Sequence, residues 1–390
     1  MTSSAADKKA NSQETVQPAF PFLDLRAQFS SIRDEVMVAV TRVLESQQFI
    51  LGSEVIQFED EIAAKLGAEH AIGCASGTDA LILALMAAEI GPGDEVITTP
   101  FSFVATAGAI AQVGARPIFV DIEPDAFTLD PNKLEAAITP SSSAIMPVHL
   151  FGLSADLDPI LAIAKSRNLL VIEDAAQAIG SRYNGRFAGA IGDFGCFSFF
   201  PSKNLGAAGD GGLITTNNAA MAERLRMIRV HGSKRKYFHD LQGINSRLDA
   251  LQAAILRVKL RHLDRWAEGR TARSQRYRRL FDEKSLTRFV HCPPPPPVGF
   301  HHVYNQFTIR VQRRDELKHY LDKGGIPTDI YYPLCLHLQK AFSSLAYQSG
   351  DFPVAEKASQ EVLSLPIFPE LTDAQQDAVV NAIEDFYVRQ

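Results

Sequence analysis

Between residues 95 and 216, short runs of β-branched and other apolar residues alternate with segments of helical spacing, and this alternation constrains the fold more than any other feature. The runs are 95–99, 117–122, 144–150, 169–172, 194–199 and 212–216, with helical segments at 103–112, 132–138 and 157–166. Repeated alternation of this kind predicts an α/β fold, with a mostly parallel central sheet and helices on both faces. Ligands of such sheets sit beyond the carboxyl ends of the strands. Asp174 follows the run 169–172, in Ile172-Glu173-Asp174-Ala175-Ala176-Gln177. A carboxylate at a strand end is a helix cap or a site residue.

Around this centre the apolar spacing predicts helices at 22–46 and 53–66, the second with Ser53 as a possible N-cap. Ala75-Ser76-Gly77-Thr78 opens a strongly apolar helix over 79–90, which Gly91-Pro92-Gly93 ends. A helix N-terminus presents unpaired N–H groups and the positive end of a dipole, and Gly77 lets a ligand approach the backbone closely, so this turn suits a phosphate. Residues 245–263 read as a long helix closing the large domain, with Ser246 three residues before Asp249 as a cap signal. The basic stretch 231–240 before it reads as an exposed loop. Beyond Arg265 the chain is more charged, and Cys292 followed by Pro293-Pro294-Pro295-Pro296-Pro297 makes a stiff, extended connector. A strand at 304–311 and helices at 315–321 and 373–387 complete a smaller α+β domain. The expected organisation is a disordered tail at 1–18, a large domain at 19–265 and a small C-terminal domain at 266–390.

Lys203 stands in Phe197-Ser198-Phe199-Phe200-Pro201-Ser202-Lys203-Asn204-Leu205, just before a glycine-rich turn. Removal from water lowers a lysine's pKa toward the neutral amine, which can form a Schiff base. With 39 basic against 45 acidic residues the net charge is -6, so no global field draws the chain to nucleic acid or to a membrane surface. Small molecules and other copies of the chain are the expected partners. Apolar runs such as 81–90 are too short to span a bilayer, and residues 1–18 lack the apolar core of a signal peptide, so a cytoplasmic location is expected. Cys74, Cys196, Cys292 and Cys335 have no C-x-x-C spacing, and His301-His302 has no carboxylate or cysteine company; no metal site is read from either.

A lysine amine, a strand-end aspartate, a glycine-threonine helix start and a serine before the lysine are together the parts that a pyridoxal phosphate site requires. In this chain they lie in Glu173-Asp174-Ala175-Ala176-Gln177-Ala178, the Phe197 to Gly206 stretch and Gly209-Asp210-Gly211-Gly212. With Gly52-Ser53-Glu54-Val55, Ser76-Gly77-Thr78-Asp79-Ala80-Leu81, Gly91-Pro92-Gly93-Asp94-Glu95-Val96 and Leu365-Pro366-Ile367-Phe368-Pro369, they resemble the DegT/DnrJ/EryC1/StrS sugar aminotransferases from about Phe22 to the C-terminus.

The resemblance implies the fold type I architecture of pyridoxal phosphate (PLP) enzymes, acting as a homodimer with active sites at the subunit interface. It implies that Lys203 carries pyridoxal 5'-phosphate as a Schiff base and moves protons, and that Asp174 pairs with the pyridine nitrogen. Gln177 would bond the ring hydroxyl, Phe103 would stack on the ring, and Gly77, Thr78 and Ser198 would hold the phosphate, with Asn245 reaching in from the neighbouring subunit. Family members with histidine at the lysine position deoxygenate sugars; Lys203 therefore implies transamination through the pyridoxamine 5'-phosphate form, with glutamate as donor. Residues 245–249 most resemble members that aminate carbon 3 of nucleotide-linked keto-sugars, of the UDP-3-keto-hexuronate or dTDP-3-keto-6-deoxyhexose type. Arg247, Tyr331, Tyr332 and His337 are the implied substrate contacts, and Tyr331 departs from the histidine that relatives often carry there. A 4-keto-sugar or keto-cyclitol aminotransferase, and a regulatory protein on the same fold, are the other readings.

Overall fold

A computed structural model describes residues 19–388, so the expected tail at 1–18 lies outside the described residues. The chain begins with two helices, α1 (Leu25–Ser46) and α2 (Ser53–Leu66). Asp24 caps α1 by accepting the N–H groups of Arg26 and Ala27, and α2 stops at Gly67, whose φ of 69° a glycine adopts without strain. Next come β1 (His70–Cys74), α3 (Gly77–Ala87), β2 (Glu95–Thr98), α4 (Ala105–Gln112), β3 (Arg116–Phe119), α5 (Leu134–Ala137), β4 (Ser142–Ile145), α6 (Leu157–Arg167) and β5 (Leu170–Asp174). The hairpin β6 (Arg182–Tyr183) and β7 (Arg186–Phe187) leads to β8 (Phe194–Ser198), β9 (Gly212–Thr216) and α7 (Ala219–Ile228).

The central sheet has seven strands in the order β1-β9-β8-β5-β4-β2-β3. Pairs β2–β3, β2–β4, β4–β5 and β5–β8 are parallel, and β9 runs antiparallel to both β8 and β1, so the sheet is mostly parallel. Short strands with both faces buried need helices on each side. On one side α3 supplies Leu81, Ala84 and Leu85 to a core shared with Ile72, Val96, Ile172 and Ile214 of the strands. On the other, α1, α2 and the later helix α8 (Ala250–Leu260) cover Phe197, Phe199 and Leu213.

The C-terminal part adds the hairpin β10 (Ser233–Arg235) and β11 (Phe238–His239), then α8 (Ala250–Leu260), α9 (Leu263–Glu283), β12 (Val290–His291), β13 (Phe300–His301), β14 (Phe307–Val311), α10 (Arg314–Lys323), α11 (Pro353–Glu361), β15 (Val362–Leu365) and α12 (Asp373–Val388). A three-stranded sheet, β12-β14-β15, buries Phe307, Ile309 and Leu365 against Val380 and Ile383 of α12. The proline run lies between β12 and β13, and β13 pairs with β6 of the large layer, so the run is a connector as expected.

The structure departs from the expected elements at several places. The strand β1 precedes the Ser76-Gly77 turn and has no counterpart in the sequence reading. The basic stretch 231–240 contains the β10–β11 hairpin, with Tyr237 at its exposed tip. The helix expected at 245–263 begins only at Ala250: Asn245 and Asp249 instead make isolated bridges with Val230 and Ile50. Ser246 does not cap it; its hydroxyl donates to Asp79 Oδ2 at 2.7 Å and accepts the Ala75 N–H at 3.1 Å. The boundary drawn at 265/266 falls inside α9, which places Trp266 in the large core and Tyr277 and Phe281 in the small one. The compositional change there is the polar face of one helix that spans both cores. Among the described residues, no helix is long and apolar enough to cross a membrane.

Candidate active site

Three segments converge at the carboxyl edge of the sheet: the end of β5, the end of β8 with its following loop, and the start of α3. They enclose a cavity of about 520 Å³ whose lining includes Gly77, Thr78, Asp174, Ser198 and Lys203. The α3 start comes this close because residue 77 is glycine: a Cβ there would lie 2.6 Å from the Cβ of Ser198. Ser76 caps α3 by accepting the Asp79 N–H, so the first amides of the helix point toward the cavity.

Lys203 sits in a tight loop. Its N–H bonds the carbonyl of Phe200 at 2.8 Å, and the Ala207 N–H returns to the carbonyl of Phe199 at 2.7 Å. Gly206 permits that return, since a Cβ there would lie 2.3 Å from the Pro201 carbonyl oxygen. From α8, the buried Lys259 donates to the Gly206 carbonyl at 2.6 Å and Gln252 accepts the Ala208 N–H at 2.8 Å, which fixes the loop from behind. Burial pushes the Lys203 ammonium down to about 8, against the opposing pull of Asp174. At pH 7 about a tenth of this amine is therefore already the neutral nucleophile, far more than for an ordinary lysine.

Asp174 is buried and accepts the Thr106 hydroxyl on Oδ2 at 2.7 Å and the Ala176 N–H on Oδ1 at 3.2 Å. Burial raises it above the ordinary aspartate value, and these donors with Lys203 offset only part of the rise. The preceding Glu173 points elsewhere, to His149 Nε2 at 2.8 Å and to the N–H groups of Gly189, Ile191 and Gly192. His149 Nδ1 accepts the Ala155 N–H at 3.0 Å, so Nε2 carries the proton and donates to Glu173.

Gln177 accepts the Phe151 N–H at 2.7 Å and donates to the Tyr332 hydroxyl at 3.1 Å. Burial holds that phenol protonated. Phe103 is 55% exposed at the rim, its ring centre 6.3 Å from that of Tyr332, and Tyr331 also lines the cavity. The nine sequence-predicted residues Gly77, Thr78, Phe103, Asp174, Gln177, Ser198, Lys203, Tyr331 and Tyr332 thus share one cavity. Exposed Asn245 and half-buried Arg247 lie outside its lining within the single chain. His337 corrects the expectation of a substrate contact: it is 2% exposed, bonds Glu356 at 3.1 Å and packs against Phe352. Its ring packs edge-on against Phe352 and Tyr347.

The profile of the DegT/DnrJ/EryC1/StrS aminotransferase family matches residues 30–384. The chain belongs to that family. The aminotransferase is 48% identical over 369 residues to the UDP-N-acetyl-3-dehydro-alpha-D-glucosamine 3-aminotransferase of Acidithiobacillus ferrooxidans, covering 95% of this chain and 98% of that one. It is 53% identical over 367 residues to a protein named "Pleiotropic regulatory protein" in Geobacillus stearothermophilus, covering 94% and 98%. Among solved structures, DesV of Streptomyces venezuelae superposes with a TM-score of 0.92 at 44% identity, covering 96% of this chain and all of that one.

The enzyme is accordingly a PLP-dependent transaminase with the fold of its structural neighbours. Its cavity fits the cofactor: a half-buried amine whose pKa is lowered to about 8, a buried carboxylate whose charge calls for a cationic partner, and a glycine-opened helix start for a phosphate. Sequence reasoning missed Ser102, Thr106 and Gln306, which also line the cavity. For Ser102 and Thr106 the only signal was two hydroxyl residues close in sequence around the start of a helix; Ser102 lies in the bend before α4, so helical spacing did not pair them.

Proposed function

We propose that this aminotransferase moves an amino group from glutamate to carbon 3 of a nucleotide-linked keto-sugar, as a cytoplasmic homodimer. Bound PLP supplies an aldehyde for the amine and a ring that takes up the electrons left when a C–H proton is removed. In this reading Lys203 would hold the cofactor through Nζ and, once freed, its Nζ would serve as the base and acid that takes up and returns the substrate's proton. Asp174 would keep the pyridine nitrogen protonated, and Gln177, already fixed by Phe151 and Tyr332, would donate to the ring hydroxyl. Thr78, Ser198 and the α3 amides hold the phosphate, Phe103 covers the ring from the rim, and Asn245 of a second copy completes the phosphate site. Arg247, Tyr331 and Tyr332 are proposed for the nucleotide-sugar. The large and small domains meet within α9 in this reading, close to the 265/266 boundary.

The observation that carries the reading is Lys203 beside Asp174 in one cavity, with a pKa already pushed down to about 8. For carbon 3, support comes from relatives whose names specify 3-amino or 3-dehydro sugars, including a UDP-2-acetamido-2-deoxy-3-oxo-D-glucuronate aminotransferase that is 44% identical. The name of the relative that is 53% identical favours a regulatory protein as the second reading. Two experiments separate them. Purified protein given PLP should turn yellow and Lys203→Ala should lose that absorbance; a wild type that stays colourless supports regulation. A glutamate-driven assay over UDP- and dTDP-linked 3-keto and 4-keto sugars and keto-inositols then tests the acceptor. Turnover confined to a 4-keto sugar or a cyclitol would overturn the carbon-3 assignment.

A further inference from the structure

Two hydroxyls form a directed chain that ends on Asp174. Ser102, in the bend before α4, and Thr106, in its first turn, are 4% and 1% exposed, with their oxygens 2.8 Å apart. Thr106 Oγ1 lies 2.7 Å from Asp174 Oδ2. An ionised carboxylate has no hydrogen to give, so the one Thr106 O–H is spent on Asp174, and Thr106 in turn accepts the O–H of Ser102. The negative charge fixes the direction of both bonds. With the Ala176 N–H on Oδ1, each oxygen of Asp174 has one set donor, so the carboxylate cannot rotate without losing both.

We propose that Thr106, backed by Ser102, is a positioning residue for amino transfer: it fixes the rotamer of Asp174 and leaves the carboxylate's open lone pairs facing the ring nitrogen of the cofactor. The inference rests on the aminotransferase reading of this cavity. α4 is suited to the task because Phe103, at the rim, belongs to the same entry turn, whose Thr106 N–H bonds the Phe103 carbonyl. One short segment then sets both the face of the ring and the partner of its nitrogen.

The electrostatics agree. Burial is the largest influence on Asp174 and opposes its charge; the Thr106 bond is the largest that favours it, followed by the Ala176 N–H, Lys203 and His149. The other titratable groups facing Asp174, buried Cys196 on β8 and half-buried Tyr332, hold their protons because burial raises both, so neither replaces the hydroxyl. Removing it leaves a less supported anion and hence a less protonated ring nitrogen. A positive ring nitrogen opposes protonation of the nearby lysine linkage, so its loss makes that linkage easier to protonate.

The test uses the PLP-loaded enzyme and compares Thr106→Val, Thr106→Ser and Ser102→Ala. Thr106→Val should raise the midpoint of the pH titration of the bound cofactor's visible absorbance. It should also lower kcat of the glutamate half-reaction by about 10–100-fold with little change in KM. Thr106→Ser should restore both, and Ser102→Ala should shift them in the same direction by a smaller amount. A wild-type midpoint and kcat in Thr106→Val would overturn the proposal, as would equal defects in Thr106→Val and Thr106→Ser, which would assign the effect to the methyl group. If Thr106→Val fails to fold, an unshifted midpoint in Ser102→Ala overturns it. A wild type that binds no PLP refutes the aminotransferase reading itself, whereas a normally titrating wild type with unshifted variants refutes only this inference.

Discussion

Glu173 and Asp174 are adjacent at the end of β5 and both are buried, yet their surroundings move them in opposite directions. Burial would raise each. For Glu173 that rise is outweighed by His149 and the N–H groups of Gly192 and Gly189, and the carboxyl lies below its ordinary range. For Asp174 it prevails over one hydroxyl, one N–H and a more distant ammonium. The pleat sends the first side chain into the sheet's own supports and the second into the cavity. Buried charge that is fully bonded organises the fold; buried charge left partly bonded is poised for a ligand.

The largest effect that could break this contrast is on activity. Asp174→Asn should lower kcat/KM of the glutamate half-reaction by roughly a thousandfold or more, measured in single turnovers, because the ring nitrogen loses its anionic partner. The same change should make the cofactor-free protein more stable at pH 7. Between the ordinary aspartate value of 3.8 and the raised folded value, the native state holds a proton that the unfolded chain has released. Stability therefore falls as pH rises through that window, and asparagine removes the loss. A urea midpoint at pH 7 below that of the wild type would contradict this.

Glu173→Gln should act in the opposite sense, lowering stability by about 1–3 kcal/mol at neutral pH, as expected for removing hydrogen bonds to a buried carboxylate. The Glu173 contribution is complete above its ordinary value of 4.5 and is lost as pH falls below it, because the folded carboxyl titrates lower. Denaturant unfolding as a function of pH should show the variant and the wild type converging in acid.

A smaller effect concerns Lys203. Since its pKa lies at about 8, the rate of cofactor attachment to the cofactor-free protein should rise about tenfold per pH unit below that value and level off above it. In Asp174→Asn the inflection should move down, because Asp174 raises the lysine value; in Glu173→Gln it should stay. Stopped-flow absorbance measures both. The smallest expected effect is Tyr332→Phe, which removes the hydroxyl that Gln177 bonds and should weaken PLP binding by about 1 kcal/mol, a factor near five, in an equilibrium titration.

Much of the architecture was legible in the chain. The order of apolar runs and helical segments specified the parallel sheet, because strand and helix impose different periods on the sequence. β1 was not, since His70-Ala71-Ile72-Gly73-Cys74 is short and becomes a strand through its ladder with β9, more than a hundred residues later. Ser246 looked like a cap because capping serines are common, but its partners, Asp79 and Ala75, are distant in sequence. His337 looked available for the same reason that Glu356 could not be foreseen as its partner.

By itself the sequence determined which groups stand ready at the site: a lysine that can condense with an aldehyde, an aspartate at a strand end, and a glycine where helix and strand must touch. These are local properties of residue type and spacing. The tertiary structure alone decided which of two neighbouring carboxylates is saturated and which is left open, that Thr106 reaches Asp174, and that Lys203 is dry enough to lose its proton near pH 8. Burial and partner choice are set by segments far apart in the chain, and a charge's free energy depends on them more than on its own side chain.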